Sequence, residues 1–274
     1  MELIWTCHQG SHLHISGYVH SPTEERHWKT LELMGEQNVI TIKGLEGGID
    51  LSISRSSTIG QYKNQHGTRT VFHPKDYECS GKDVESMWVI DPLDGTTNFI
   101  HGFPYYAISI AYVEKGKTLH ALIIDVPRQD EFTASFGRGA YLNNRRIRVS
   151  KAKDLSGTLL SNSSHDTDKG RVRHDNMSTF RSLYSNGLTI RRTGSAALDM
   201  ANVAAGRLDG FWGSGLGMWD IAAGGLLVRE AGGLVSDYFG NPDYLAGDNI
   251  ICSTNKCFKP MLKSIKPFTS IVED

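Results

Sequence analysis

Cysteine is scarce in this chain. Only Cys7, Cys79, Cys252 and Cys257 occur among 274 residues, and no two are spaced C-x-x-C. That argues against a disulfide framework and for free thiols in a reducing cytoplasm. No apolar run reaches the roughly 18 residues that a membrane span needs. The opening MELIWTCHQGSHLH has neither the basic start nor the apolar stretch of a secretory signal. Neither sign of charge dominates. The formal net charge is -1, so global electrostatics favour neither DNA nor an anionic membrane as a partner. What remains is the composition of an ordinary globular protein, long enough for one large domain or two subdomains.

Two further absences mark residues 1–82. Apolar residues there show no sustained 3.6-residue period, and no acidic side chain occurs between Asp50 and Asp76. The segment does hold seven of the eleven histidines. His8, His12 and His14 resemble a metal cluster, but no Cys or carboxylate partner completes it, so they read as scattered surface histidines.

From about Asp83 the pattern becomes legible. YYAISIAYV (105–113) and LHALIIDV (119–126) read as strands joined by a polar turn with Gly116, and EFTASF (131–136) with the Asn143-Asn144 turn continues an antiparallel meander. After a polar linker over about 162–178, GSAALDMANVAAG (194–206) reads as a helix with Ser195 as N-cap and Gly206 as stop. DGFW is a short strand, WDIAAGGLLVREAGG (219–233) a second helix beginning at Asp220, and GLVSDYFG a return to strand. Helices and strands mix without strict alternation, which predicts a layered α+β architecture. Trp212, Trp219 and Leu226-Leu227-Val228 read as packing, and His101 as a rim histidine.

The chemistry centres on WVIDPLDGTTNF (88–99). Its apolar start reads as the end of an interior strand, Pro92 should break the ladder, and Gly95 permits a tight turn. Asp91 and Asp94 would then stand at a strand end. One reading makes them helix caps. The other brings them together with Asp220 from a separate helix start, where three carboxylates can hold a hard cation such as Mg²⁺. Gly95-Thr96-Thr97 and the Gly194-Ser195-Ala196 helix start would offer backbone N–H groups to a phosphate and to a polar substrate. Phosphoryl transfer needs positioning and charge neutralisation, and this inventory contains both. Spacing alone leaves a Mg²⁺-dependent phosphatase and three unrelated caps both open.

The stretch from about Asp83 to Pro267 closely resembles the inositol monophosphatase family, in particular its bacterial SuhB-type members. WVIDPLDGTTNF is similar to the family's first motif, GMWDIAAGGLLVREAGG to its second, and RRTGSAALDMANVAAGRLDGFW to the substrate-side segment between them. The resemblance implies a layered α-β-α-β-α sandwich, Mg²⁺ dependence, lithium sensitivity and a homodimer. It implies that Asp91 bridges metals, that the Leu93 carbonyl is a ligand, and that Asp94 and Asp220 complete the second metal site. Thr96 would help orient the attacking water, and the Gly95 and Thr96 N–H groups would hold the phosphate. Gly194, Ser195 and Ala196 would line the sugar-alcohol side. The implied reaction is hydrolysis of inositol 1-phosphate or a related polyol phosphate, without a covalent intermediate. Phosphatases of nucleotides, fructose bisphosphate or histidinol phosphate share the metal motifs, but RRTGSAALD resembles the inositol branch. SuhB-type members also serve as Nus factors in transcription antitermination. A catalytically weak or inactive chain of this kind would have RNA polymerase and NusA as partners.

The chain departs from the family pattern twice. The family begins with two helices carrying an acidic motif, followed by a Gly-Glu-Glu-like pair that gives a carboxylate to the first metal. Here the corresponding window, Val71 to Pro74, holds no acid. Asp76 and Glu78 are nearest, in no recognisable motif, and Asp50-Leu51 matches only faintly. Residues 1–82 therefore read as a divergent or frame-shifted segment ahead of an inositol monophosphatase-like region, 83–274. At Gly213 family members commonly carry a Glu that contacts a substrate hydroxyl. Losing one such charged contact costs about 1.5–3 kcal/mol in substrate binding. Alternatively, Gly213 merely permits a loop. If the first segment is frame-shifted, the gene's other two frames upstream of codon 83 should encode a helix followed by an acidic pair; their failure to do so would reject the idea.

Overall fold

The computed structural model describes residues 86–164 and 172–271, and separate strands at 5–6, 12–17, 31–35, 38–45, 48–54, 59–64 and 67–72. Side chains are described over 89–91, 93–164 and 174–270. The side chains of Cys7, His8, His12, His14, Asp50, Asp76, Glu78 and Cys79 fall outside the described residues. Contacts divide the chain into two units, residues 1–59 with 73–78 and residues 60–72 with 79–274. In the first unit Trp5–Thr6, His12–Gly17, Gly48–Ser54, Asn38–Leu45 and Leu31–Gly35 lie side by side, in that order, as an antiparallel sheet.

The second unit is built on an eight-stranded sheet. Its order is Arg145–Arg146, Gly139–Leu142, Asp130–Ser135, Lys117–Asp125, Ala107–Glu114, Ser86–Asp94, Gly67–Phe72 and Ile59–Asn64. The expected meander is present. Lys115-Gly116 and Asn143-Asn144 form two-residue hairpin turns with both residues at positive φ, the geometry that matches strand twist. A second sheet follows the order Thr189–Arg191, Leu159–Ser164, Gly210–Ser214, Asn249–Ser253 and Leu234–Ser236. Its first three strands are parallel, and Asn249–Ser253 runs against both its neighbours.

Among the described residues the α-helices, in chain order, are α1 (Thr96–Ile100), α2 (Asn176–Ser185), α3 (Ala196–Ala204), α4 (Met218–Glu230) and α5 (Asn255–Ile265). Helices α3 and α4 contribute to one core with both sheets, including Val89, Ile123, Phe132, Leu198, Met200, Phe211, Leu227 and Ile250. Helix α4 is buried continuously from Asp220 to Val228, as a helix apolar on every side must be. Helices α2 and α5 close a second core around Trp212, Tyr238, Leu183 and Met261. The result is a strand-helix-strand-helix stack of the α+β class. The further outer helical layer of the implied sandwich is not found among the described residues. No helix among those residues is long and apolar enough to cross a membrane.

The polar linker read over 162–178 is corrected in part. Its start belongs to the strand Leu159–Ser164, and its end opens α2. The sequence LLSNSS looks like loop, yet Leu160 to Ser164 are buried. Asn162 makes this possible: its Nδ2 donates to the Trp212 carbonyl at 3.0 Å and to Asn176 Oδ1 at 3.0 Å, so burial leaves its polar atoms paired. Cys252 and Cys257 are free and buried.

Helices α3 and α4 meet through small residues. A Cβ on Gly224 would lie 2.6 Å from Met200 Cβ and 2.7 Å from its Cε. Overpacking such a contact costs about 1–3 kcal/mol. Gly224→Val should lower unfolding stability by about that amount in chemical denaturation.

Candidate metal centre

In a regular strand, side chains alternate between faces, so residues three apart point to opposite sides. Asp91 and Asp94 escape this through a bulge. Asp91 pairs with Ser109 and Asp94 with Ala107, so three steps on one strand match two on its neighbour. The extra residue returns both carboxylates to one face. As expected, the ladder is interrupted at Pro92, but it resumes at Asp94, where the strand ends. Gly95 then turns the chain at φ 91° into α1. A Cβ there would stand 2.9 Å from the Tyr105 carbonyl oxygen, which makes glycine the fitting residue.

Three buried carboxylates converge. Asp91, Asp94 and Asp220 each bring an oxygen to a cluster whose members all lie within 4.8 Å of one another. Each also has one oxygen held by protein donors. Leu93 N–H donates to Asp91 Oδ1 at 3.1 Å. Ser195 Oγ and Ala197 N–H donate to Asp94 Oδ2 at 2.6 and 2.8 Å. Gly217 N–H donates to Asp220 Oδ2 at 2.7 Å, half of a capping box at the start of α4. Ser109, opposite Asp91, donates through Oγ to the Trp219 carbonyl at 3.2 Å and so ties the start of α4 to the strand. The positive N-terminal ends of α3 and α4 both lie beside carboxylates here.

An all-oxygen set from separate rigid elements fits a hard divalent cation. Crowding three anions this closely is unfavourable without one. No fourth acidic side chain joins them among the described residues.

The other expected site residues fall around this cluster. The Thr96 hydroxyl donates to the Leu93 carbonyl at 3.0 Å, so the Leu93 oxygen is within reach of the same motif. Thr96 is exposed and Leu93 and Gly95 half-buried. Gly194 lies exposed at φ +89°. Ser195 and Ala196 are buried, and the Ser195 hydroxyl is engaged with Asp94 while also capping α3 at Leu198 N–H. His101 is exposed, in keeping with a rim position.

Gly213 lies in the strand Gly210–Ser214, which corrects the loop reading. A Cβ on it would stand 2.5 Å from Leu216 Cδ1 and 2.6 Å from the Ser163 carbonyl oxygen. The space beside this glycine is already filled.

Two residues near the centre escaped the sequence reading. Asp199, inside α3, is fully buried, and its Oδ1 accepts the hydroxyls of Tyr105 (2.8 Å) and Thr193. Its signal was a charge on an otherwise apolar helix face. Asn98, within the first motif, donates through Nδ2 to the carbonyls of both Tyr105 and Thr193 at 2.7 Å.

The fold is of phosphatase architecture, and it carries a cluster of three carboxylates that could hold a metal ion. A profile of the inositol monophosphatase family matches residues 52–267, and the chain belongs to that family. It is 53% identical over 191 residues to the Nus factor SuhB of Pseudomonas aeruginosa, covering 69% of this chain and 70% of that protein. A solved SuhB from Bartonella henselae is 39% identical, with a TM-score of 0.62 over 70% of this chain and 77% of that one. The solved inositol monophosphatase of Anabaena is 36% identical, with a TM-score of 0.62 over 68% of this chain and 76% of that one.

Burial pushes the Asp199 carboxyl up to about 7; hydroxyls from Thr193 and Tyr105 pull it down, and charge on Asp94 adds to the rise. An acid raised above its unfolded value of about 3.9 binds an additional proton when folded. Its stabilising contribution is therefore greatest in acid and is lost as pH rises through about 7. Asp199→Asn keeps an acceptor oxygen and cannot ionise. Without divalent ions, its stability relative to the parent protein should increase by about 1–3 kcal/mol from about pH 5 to about pH 8, as read by denaturant titration.

Proposed function

We propose that this chain is a Mg²⁺-dependent phosphomonoesterase of the cytoplasm that hydrolyses inositol 1-phosphate or a related polyol phosphate. The observation that carries the reading is the convergence of Asp91 and Asp94, from one strand, with Asp220, from α4, all buried and within 4.8 Å. Membership of a family described as inositol monophosphatases supports it.

In this proposal Asp91, Asp94, Asp220 and the Leu93 carbonyl hold the cation. When bound, Mg²⁺ supplies charge neutralisation and Lewis acidity to a phosphate ester and a water. The chain's own groups supply position. Gly95 and Thr96 N–H groups face the phosphate, and the Thr96 hydroxyl orients the attacking water. Gly194, at the exposed turn, meets the leaving alcohol, with Ser195 and Ala196 behind it. Ser195 acts at one remove, by fixing Asp94. The filled space at Gly213 means that no side chain there meets the alcohol, so a substrate would be held mainly through its phosphate. The proposed assembly is a homodimer, sensitive to lithium. The segment before Asp83 is proposed to diverge from the family pattern, most fully before residue 52, where the family match begins.

A second reading rests on one specific observation, that the Pseudomonas relative is a Nus factor. In that role the folded surface would bind the antitermination machinery, RNA polymerase and NusA, whether or not the site turns over.

Phosphate release from inositol 1-phosphate with millimolar Mg²⁺ separates the readings. Clear turnover is expected. Asp91→Asn, which alters a proposed direct ligand, should lose more than the about 10–100-fold typical of outer-shell changes. Folded protein with activity equal to that variant's, but able to retain RNA polymerase and NusA in a pull-down, would replace the first reading with the second.

A further inference from the structure

We infer that Asn98 is a positioning residue that clamps the turn ahead of α3 to α1 and the segment after it and, through that turn, holds Asp94 in place for Mg²⁺. The inference rests on the metal-site reading above.

A primary amide nitrogen carries two N–H donors. Asn98 Nδ2 uses them on the carbonyls of Tyr105 and Thr193, each at 2.7 Å. Acceptors on both sides fix which end of the amide is nitrogen. The Thr193 carbonyl precedes the first turn of α3, so the helix's own ladder offers it no donor. The Asn98 main-chain carbonyl accepts Phe103 N–H at 2.8 Å. One residue thus holds the chain after α1 twice and the turn before α3 once.

That turn carries the groups that grip Asp94. Two residues after Thr193, Ser195 Oγ donates to Asp94 Oδ2, and Ala197 N–H donates to the same oxygen. The path from Asn98 to the cluster is therefore Thr193, Ser195, Asp94. Two glycines leave room for it. A Cβ on Gly194 would lie 2.9 Å from Asn98 Nδ2 and 3.1 Å from its Oδ1, at φ +89°. A Cβ on Gly95 would press on the Tyr105 carbonyl that Asn98 also holds. The amide occupies the gap between two backbone segments that both require glycine.

The clamp touches neither cation nor substrate, so its loss should act on binding more than on turnover. With Asn98→Ala, calorimetric titration should show Mg²⁺ affinity about tenfold weaker, the lower end for outer-shell partners. KM for inositol 1-phosphate should rise about tenfold, with kcat at saturation within about threefold of the parent. Gly194→Ala pushes the amide out from the other side and should shift Mg²⁺ affinity in the same direction. It decides the matter on the same titration if Asn98→Ala does not fold.

A folded Asn98→Ala protein with a lower melting temperature but unchanged Mg²⁺ affinity and KM would make Asn98 merely structural and overturn the inference. Parent protein that takes up no Mg²⁺ would overturn it too. Parent protein that binds Mg²⁺ without releasing phosphate sinks only the phosphatase reading. The variants' Mg²⁺ affinities then still decide the clamp.

Discussion

The Asp94 carboxylate, gripped by Ser195 Oγ and Ala197 N–H, is the contact on which the site depends. It joins the end of a strand in the eight-stranded sheet to the N-terminus of a helix that contributes to a core shared with both sheets of the second unit. A charge-assisted pair of bonds to a buried oxygen is strong and directional. It sets where α3 begins, and so where the turn carrying Gly194 lies relative to the first motif. The bulge at Pro92-Leu93 serves the same contact. Without the extra residue, Asp91 or Asp94 would face the wrong side of the sheet.

Capping and the carboxylate convergence that metal ligation would need, opposed as readings of the motif, occur together in the folded protein. Asp220 caps its own helix, and Asp94 caps a helix about a hundred residues away in the chain. The short α1 that follows Asp91 and Asp94 has Gly95 as its N-cap, without a side-chain bond. Each aspartate spends one oxygen on a protein donor, which orients the group, and contributes an oxygen to the cluster. Asp199, close enough to feel the charge on Asp94, is held toward its neutral form by burial. That limits the negative charge gathered around one small volume when no cation is present.

Around this centre two asparagines, one buried and one half-buried, pair backbone groups that would otherwise lack partners. Asn162 lets a Ser/Asn-rich strand run inside the second sheet. Asn98 does the same for two carbonyls at the site. Buried networks of this kind are costly when half-satisfied and specifying when complete. Membership of the inositol monophosphatase family accounts for the shared architecture. At Gly213, Leu216 is packed where a side chain would begin.

The sequence by itself determined the meander, helices α3 and α4, and the three aspartates as a candidate set. Each rests on local chemistry: two-residue turns at Lys115-Gly116 and Asn143-Asn144, an N-cap at Ser195, and apolar periodicity between glycine stops. It did not determine that residues three apart would share a face, because a bulge exists only relative to a partner strand. Nor did it reveal that Ser195 would serve Asp94, that Asp199 would be fully buried, or that Asn98 would span two carbonyls. Those facts depend on residues close to a hundred positions apart being brought within hydrogen-bond distance. Only the packing of α3 against the strand ends does that, so the tertiary structure decided how the candidate residues became one site.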